Sequence, residues 1–108
     1  MQAPIPVPKP ETYPRNPWFL AWLRRQACAA CGLPGLWNDP IEAAHLDSRR
    51  YGDEGNAIPL HGLHCHREGP MSLHRIGRRA FQLHYQLDLR LRAEWYLERY
   101  RAEQKPLA

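Results

Sequence analysis

Between residues 58 and 74 the chain reads IPLHGLHCHREGPMSLH, which gathers His61, His64, Cys65, His66 and His74. Upstream, Cys28 and Cys31 stand in C-x-x-C spacing. Thiols and imidazoles at this density point to a metal. Zinc takes about four such ligands in a tetrahedron, and a two-residue spacer lets both sulfurs of the C-x-x-C reach one ion. The other half of the site must come from residues 61–66. Two completions fit: His61 with Cys65, or His61 with His64. Adjacent residues rarely both reach one ion from a regular backbone, so His64 and Cys65 do not pair with each other. A C-x-x-C can also serve thiol–disulfide exchange, but that reading needs a strand–helix–strand context, which is missing here.

The elements that must position these groups follow from pattern. "PWFLAWLRRQ" (17–26) reads as a short helix with Pro17 at its first position and Phe19, Leu20 and Leu23 on one side. "CAACGLPG" is a knuckle-like turn. "IEAAHL" (41–46) and "AIPLH" (57–61) are strand candidates separated by a polar loop. Ser72 suits the N-cap of a helix over "LHRIGRRAFQLHYQ", where Leu73, Ile76, Ala80, Leu83 and Leu87 keep helical spacing. A last helix over about 88–103 puts Leu89, Ala93, Tyr96, Leu97 and Tyr100 on one stripe, with Asp88 near its start. Residues 1–16, with prolines at 4, 6, 8, 10 and 14, read as a flexible, extended tail, and 17–104 as the folded domain.

One zinc site leaves His45, His66 and His74 over, with His64 spare and His84 on a helix without an obvious partner. In order, Cys28, Cys31, Ala44-His45, Asn56, Pro59-Leu60-His61, Cys65-His66, His74 and Gly77-Arg78-Arg79-Ala80-Phe81 resemble the HNH nucleases. The likeness is to the zinc-bound members encoded by phages and prophages, and it covers roughly residues 18–100. It implies an α+β fold: a small zinc-stabilised ββα-metal core with flanking helices. It implies a metal-dependent endonuclease that hydrolyses phosphodiester bonds in DNA, with RNA left open. His45 would be the general base, a task suited to imidazole near neutral pH, and Asn56 would orient it. His66 and His74 would hold a catalytic divalent cation such as Mg²⁺ or Mn²⁺. Arg67, Arg75, Arg78 and Arg79 would hold the nucleic-acid backbone without reading sequence. The pattern departs from the family at three places. Position 61 is His where Cys is more usual. Three residues, not two, separate it from the Cys65-His66 pair. Ala44 stands where many members place another metal ligand, so Asp47 or His74 would complete the cation's shell.

Taken singly, these residues have plainer readings. His74 could be a helix-start residue, Asn56 a turn former beside Gly55, and Arg78-Arg79 a solvated helix face. Their order is what raises the chemical reading. The composition agrees with it: 108 residues allow one domain, and the net charge of +4 comes almost wholly from arginine, with Lys9 and Lys105 the only lysines. Guanidinium groups suit bidentate contact with phosphates. So short a chain buries surface poorly and gains from a metal. The three cysteines cannot all pair with one another. Prolines stand where a secretory apolar region would be, and no run is long enough to cross a bilayer. The expected compartment is the reducing cytoplasm. The competing class is a non-catalytic zinc module that binds nucleic acid or a phage protein.

Overall fold

The structure, a computed structural model, describes residues 12–104. It is a small α+β arrangement of three helices and a two-stranded sheet. Helix α1 spans Pro17–Leu23, strands β1 and β2 span Ile41–His45 and Ala57–His61, and helices α2 and α3 span Leu73–Tyr85 and Leu89–Gln104. A 3-10 turn at Arg49–Tyr51 and a π-type turn at Gly62–Arg67 fill the connections.

α1 starts where sequence chemistry says it should. Pro17 occupies the first turn and the Asn16 side chain accepts the Phe19 N–H at 3.0 Å, so an otherwise orphan donor is satisfied. The helix buries Phe19, Trp22 and Leu23. Trp22 joins the expected stripe, on which Leu20 is partly buried, because its ring meets Tyr96 and Tyr100 of α3 edge-on, at 6.4 and 5.6 Å between centroids.

β1 and β2 pair antiparallel, with Ile41 opposite His61 and His45 opposite Ala57. Every residue of β2 is buried, as expected of a strand covered on both faces. Pro59 lacks an N–H, which a two-stranded sheet tolerates because each strand is an edge. Its carbonyl is used from outside the sheet: it accepts the Ala29 N–H at 2.8 Å. That bond moors the C-x-x-C segment to β2.

α2 departs from the expected continuous stripe. Gly77 has φ 82° and ψ 167° inside it, a region open essentially to glycine alone, and the helix is broken there. Its phase is reset, so Phe81 is buried, whereas Ala80 and Leu83 are exposed. Ser72 does stand at the N-cap position, but its side chain makes no capping bond. Its buried hydroxyl has no partner among the described residues. α3 keeps its expected face, with Leu89, Ala93 and Tyr96 buried. Asp88 caps it, accepting the Leu91 N–H at 3.0 Å.

Of the segment expected as a free tail, residues 1–11 lie outside the described residues. Tyr13–Asn16 are bonded to the body, so the organised region begins before Pro17. The Pro14 carbonyl accepts the N–H groups of Asp53 and Glu54, the Tyr13 N–H reaches the Tyr51 carbonyl, and the Asn16 N–H donates to the Asp53 carboxylate at 2.8 Å. This strap fastens the loop between β1 and β2.

Candidate metal centre and adjoining histidine cavity

Cys28 and Cys31 sit on the knuckle after α1, His61 ends β2, and Cys65 lies in the turn that follows. One ligand atom from each lies within 4.8 Å of the others. The knuckle is closed by the Gly32 N–H donating to the Cys28 carbonyl at 2.8 Å, and Gly32 takes φ 78°, where a side chain is strained. The His61 ring is fixed from behind. Its Nε2 donates to the Pro34 carbonyl at 2.8 Å, so Nδ1 carries the lone pair and lies 3.2 Å from Cys31 Sγ. A ligand imidazole is commonly oriented through its other nitrogen in this way.

The electrostatics of the cluster favour one thiolate. The Cys65 thiol donates to Cys28, and N–H groups of Cys31, His61 and Ala30 add to it. Together they outweigh burial and bring Cys28 down to about 4. Cys65 is pushed up, chiefly because it supplies that proton and also because it is buried. Three sulfurs and an imidazole this close can hold a structural metal ion. Of the two completions open to the sequence, the geometry selects Cys65. His64 is exposed and stands outside the cluster; the turn holds it through its backbone N–H, which donates to Asp39.

The remaining histidines meet on the other side of the same turn. His45 from the end of β1, His66 from the turn and His74 from the start of α2 line one cavity of about 260 Å³, with Asp47, Ser48 and Arg49. The His66 and His74 rings meet edge-on at 4.5 Å. His66 Nδ1 donates to the Glu42 carboxylate at 2.8 Å, which leaves Nε2 open. Burial lowers the His66 pKa, against the opposing pull of Glu42 and with help from His74. The ring is therefore neutral at pH 7, the form that binds a cation. Glu42 also takes a two-pronged contact from Arg67, at 3.1 and 2.9 Å. Although burial opposes its charge, these partners hold its pKa below the ordinary value. Gly62 makes the space: a Cβ there would lie 2.6 Å from the Glu42 carboxyl carbon.

His45 Nε2 donates to Asp53 Oδ1 at 2.9 Å. A carboxylate only accepts, so the proton sits on Nε2 and Nδ1 is left as a base, without a partner among the described residues. Asn56 does not touch the imidazole. Its fully buried side chain accepts the Asp47 N–H at 2.8 Å and donates to the carbonyls of Gly52 and Asp47. It thus closes the loop that delivers Asp53. Asp47 lines the cavity but is paired with Arg90 at 3.1 Å and Arg78 at 3.4 Å. Arg75 and Arg79 are exposed, as are Arg67 and Arg78. His84 packs edge-on against Tyr85 and belongs to neither the sulfur cluster nor the cavity lining.

Sequence reasoning missed Asp53, Glu42 and Arg49. Each lies in a short polar context where carboxylates and guanidiniums are common, and only the fold brings them to a histidine or to the cavity. Among the described residues, the Cys28–Cys31–His61–Cys65 cluster is the group in which three or more ligands converge; the three cavity histidines do not form a second such group. No helix among the described residues is long and apolar enough to cross a membrane. No family model matches this chain, and neither a curated protein nor a solved structure matches it.

Proposed function

We propose that the protein is a metal-dependent endonuclease of the HNH type, hydrolysing phosphodiester bonds in DNA, with zinc as its structural ion. The observation that carries the reading is that His45, His66 and His74, from three separate segments, line one cavity. Three thiols and one imidazole are a donor set that suits zinc. A tetrahedron of ~2.3 Å bonds separates its ligand atoms by about 3.8 Å, within the spread seen here.

In this reading His45 Nδ1 takes the proton of the attacking water, and Asp53 stabilises the imidazolium that forms. His66, through Nε2, and His74 would hold the catalytic cation. When bound, such an ion supplies charge stabilisation at the phosphate and the leaving oxygen. Glu42 keeps Nε2 of His66 turned outward. Arg49 faces the cavity, while Arg67, Arg75, Arg78 and Arg79 offer exposed guanidinium groups to flanking phosphates. The Arg78–Asp47 pair is long and half-exposed, so a phosphate can compete for it.

A second reading, a zinc module that binds nucleic acid without cutting it, draws on the pairing of Asp47 with two arginines and on the two-histidine cation site. The two separate on one assay. His45→Ala is expected to lose DNA cleavage in Mg²⁺ or Mn²⁺ by on the order of 10²–10⁴-fold, with zinc content and circular dichroism unchanged. Undiminished cutting by that variant would remove His45 from the mechanism, and no cutting by the parent on any DNA form would remove the nuclease reading.

A further inference from the structure

The outer face of α3 carries a group of side chains that neither metal site uses. Trp95 is 43 % exposed. Arg92, one turn before it, and Arg99, one turn after, place their guanidinium carbons 5.5 and 5.1 Å from its ring centroid. Residues three and four apart are neighbours on a helix, so the sequence spacing alone produces this arrangement. Tyr96 meets the indole edge-on at 4.9 Å. The ring is therefore held in place while part of it stays exposed.

The two guanidiniums differ from four of those around the folded body. Arg67, Arg78, Arg90 and Arg101 each have a carboxylate partner. Arg92 and Arg99 have neither a carboxylate within 4.0 Å nor a side-chain hydrogen bond among the described residues. Stacking on an aromatic ring uses the flat face of a guanidinium and leaves its N–H edges free to donate.

Beside this group lies a cavity of about 370 Å³, walled by Arg92, Trp95, Tyr96 and Arg99 on one side and by the C-x-x-C knuckle on the other. Small residues create the room. Ala27 and Ala29 line it, and a Cβ on Gly32 would meet nothing within 4 Å. No carboxylate lines it. An aromatic wall, two unpaired cationic edges and a floor of small residues suit a planar ring that carries negative charge beside it.

We propose that this face binds an unpaired nucleotide of a single nucleic-acid strand, its base against Trp95 and its flanking phosphates on Arg92 and Arg99. The proposal shares its class of partner with the nuclease reading but does not depend on cleavage.

The test uses the full chain with its zinc, carrying His45→Ala so that the probe is not cut. Binding of a fluorescein-labelled single-stranded oligonucleotide is followed by anisotropy over a range of salt. Trp95→Ala is expected to weaken binding about tenfold, as loss of one stacked base does, and Trp95→Phe to restore most of it. Arg92→Gln with Arg99→Gln is expected to flatten the salt dependence by about 0.7 per lost phosphate contact. Unchanged affinity and salt slope in these variants would overturn the proposal. So would a phosphopeptide that competes as well as unlabelled oligonucleotide. A parent protein that binds the strand through Trp95 yet never cuts DNA would retire the nuclease reading and leave this one standing.

Discussion

His45 has one ring nitrogen committed and one open, and the commitment is made by Asp53. That carboxylate is buried and is itself held by the Asn16 N–H. It can do two things for a base: fix the proton on Nε2, and stabilise the ring once a second proton has been taken up at Nδ1. Asparagine at position 53 keeps the size but offers an N–H in place of an oxygen, which favours the opposite tautomer and blocks Nδ1. Asp53→Asn is expected to lower cleavage on the order of 10²-fold or more while leaving zinc content unchanged. Full activity in that variant would show that the His45–Asp53 contact has no part in proton transfer. Glu42 plays a comparable part for His66. Its carboxylate meets both that ring and Arg67, so in the nuclease reading the orientation of a cation ligand and the placement of a phosphate-seeking guanidinium depend on one side chain.

At the scale of elements, the β1–β2 loop matters most because it delivers Asp53, and it is closed from two sides. Asn56 binds its backbone from within, and the Tyr13–Asn16 strap binds it from outside. Gly52 permits the strap: it has φ 109° and ψ −169°, and a Cβ there would stand 1.8 Å from the Tyr13 carbonyl oxygen. Gly77 has a similar backbone, but a Cβ there meets nothing. Alanine at Gly77 is expected to cost about 1–3 kcal/mol, the strain of that conformation. Alanine at Gly52 adds a backbone collision and is expected to cost clearly more. Thermal melts of the two variants decide it, since each kcal/mol moves the midpoint by about 4–8 °C in a domain of this size; equal midpoints would mean that the strap yields freely. Much of the rest was legible beforehand. Pro17, the paired apolar runs at 41–46 and 57–61, and the α3 stripe declare their elements by local pattern. So does the C-x-x-C, because two spacer residues suffice to bring its sulfurs together. The α2 face was not legible, because one glycine inside a helical pattern does not reveal whether it bends or continues. Nor was the Asp53–His45 contact, which exists only after Asn56 has folded the loop back.

For the molecule as a whole, the question is how so few residues stay folded. A single small core with Phe19, Phe81, Leu23, Ile58 and Leu60 fully buried is modest. The proposed zinc joins three parts of it: the knuckle after α1, the end of β2, and the turn leading to α2. Structural zinc contributes apparent binding energies of about 10–16 kcal/mol, as large as the ~5–15 kcal/mol net stability of most domains. The protein is therefore expected to purify with about one zinc per chain and to lose its circular dichroism on chelation. A chain that stays folded after metal analysis shows none would refute the structural ion. The packing of α1 on α3 through Phe19, Trp22, Tyr96 and Tyr100 would then be what holds the first and last helices together.

Cys65 and His66 are consecutive, yet one belongs to the sulfur cluster and the other to the histidine cavity. The peptide link between them is a mechanical coupling. Because loss of the proposed zinc is expected to unfold the chain, His66 loses its place beside His74 with it, and in the nuclease reading a chelator that strips only the tighter ion should abolish activity before any weaker ion is touched. Adding back magnesium alone should then fail, and zinc followed by magnesium should succeed.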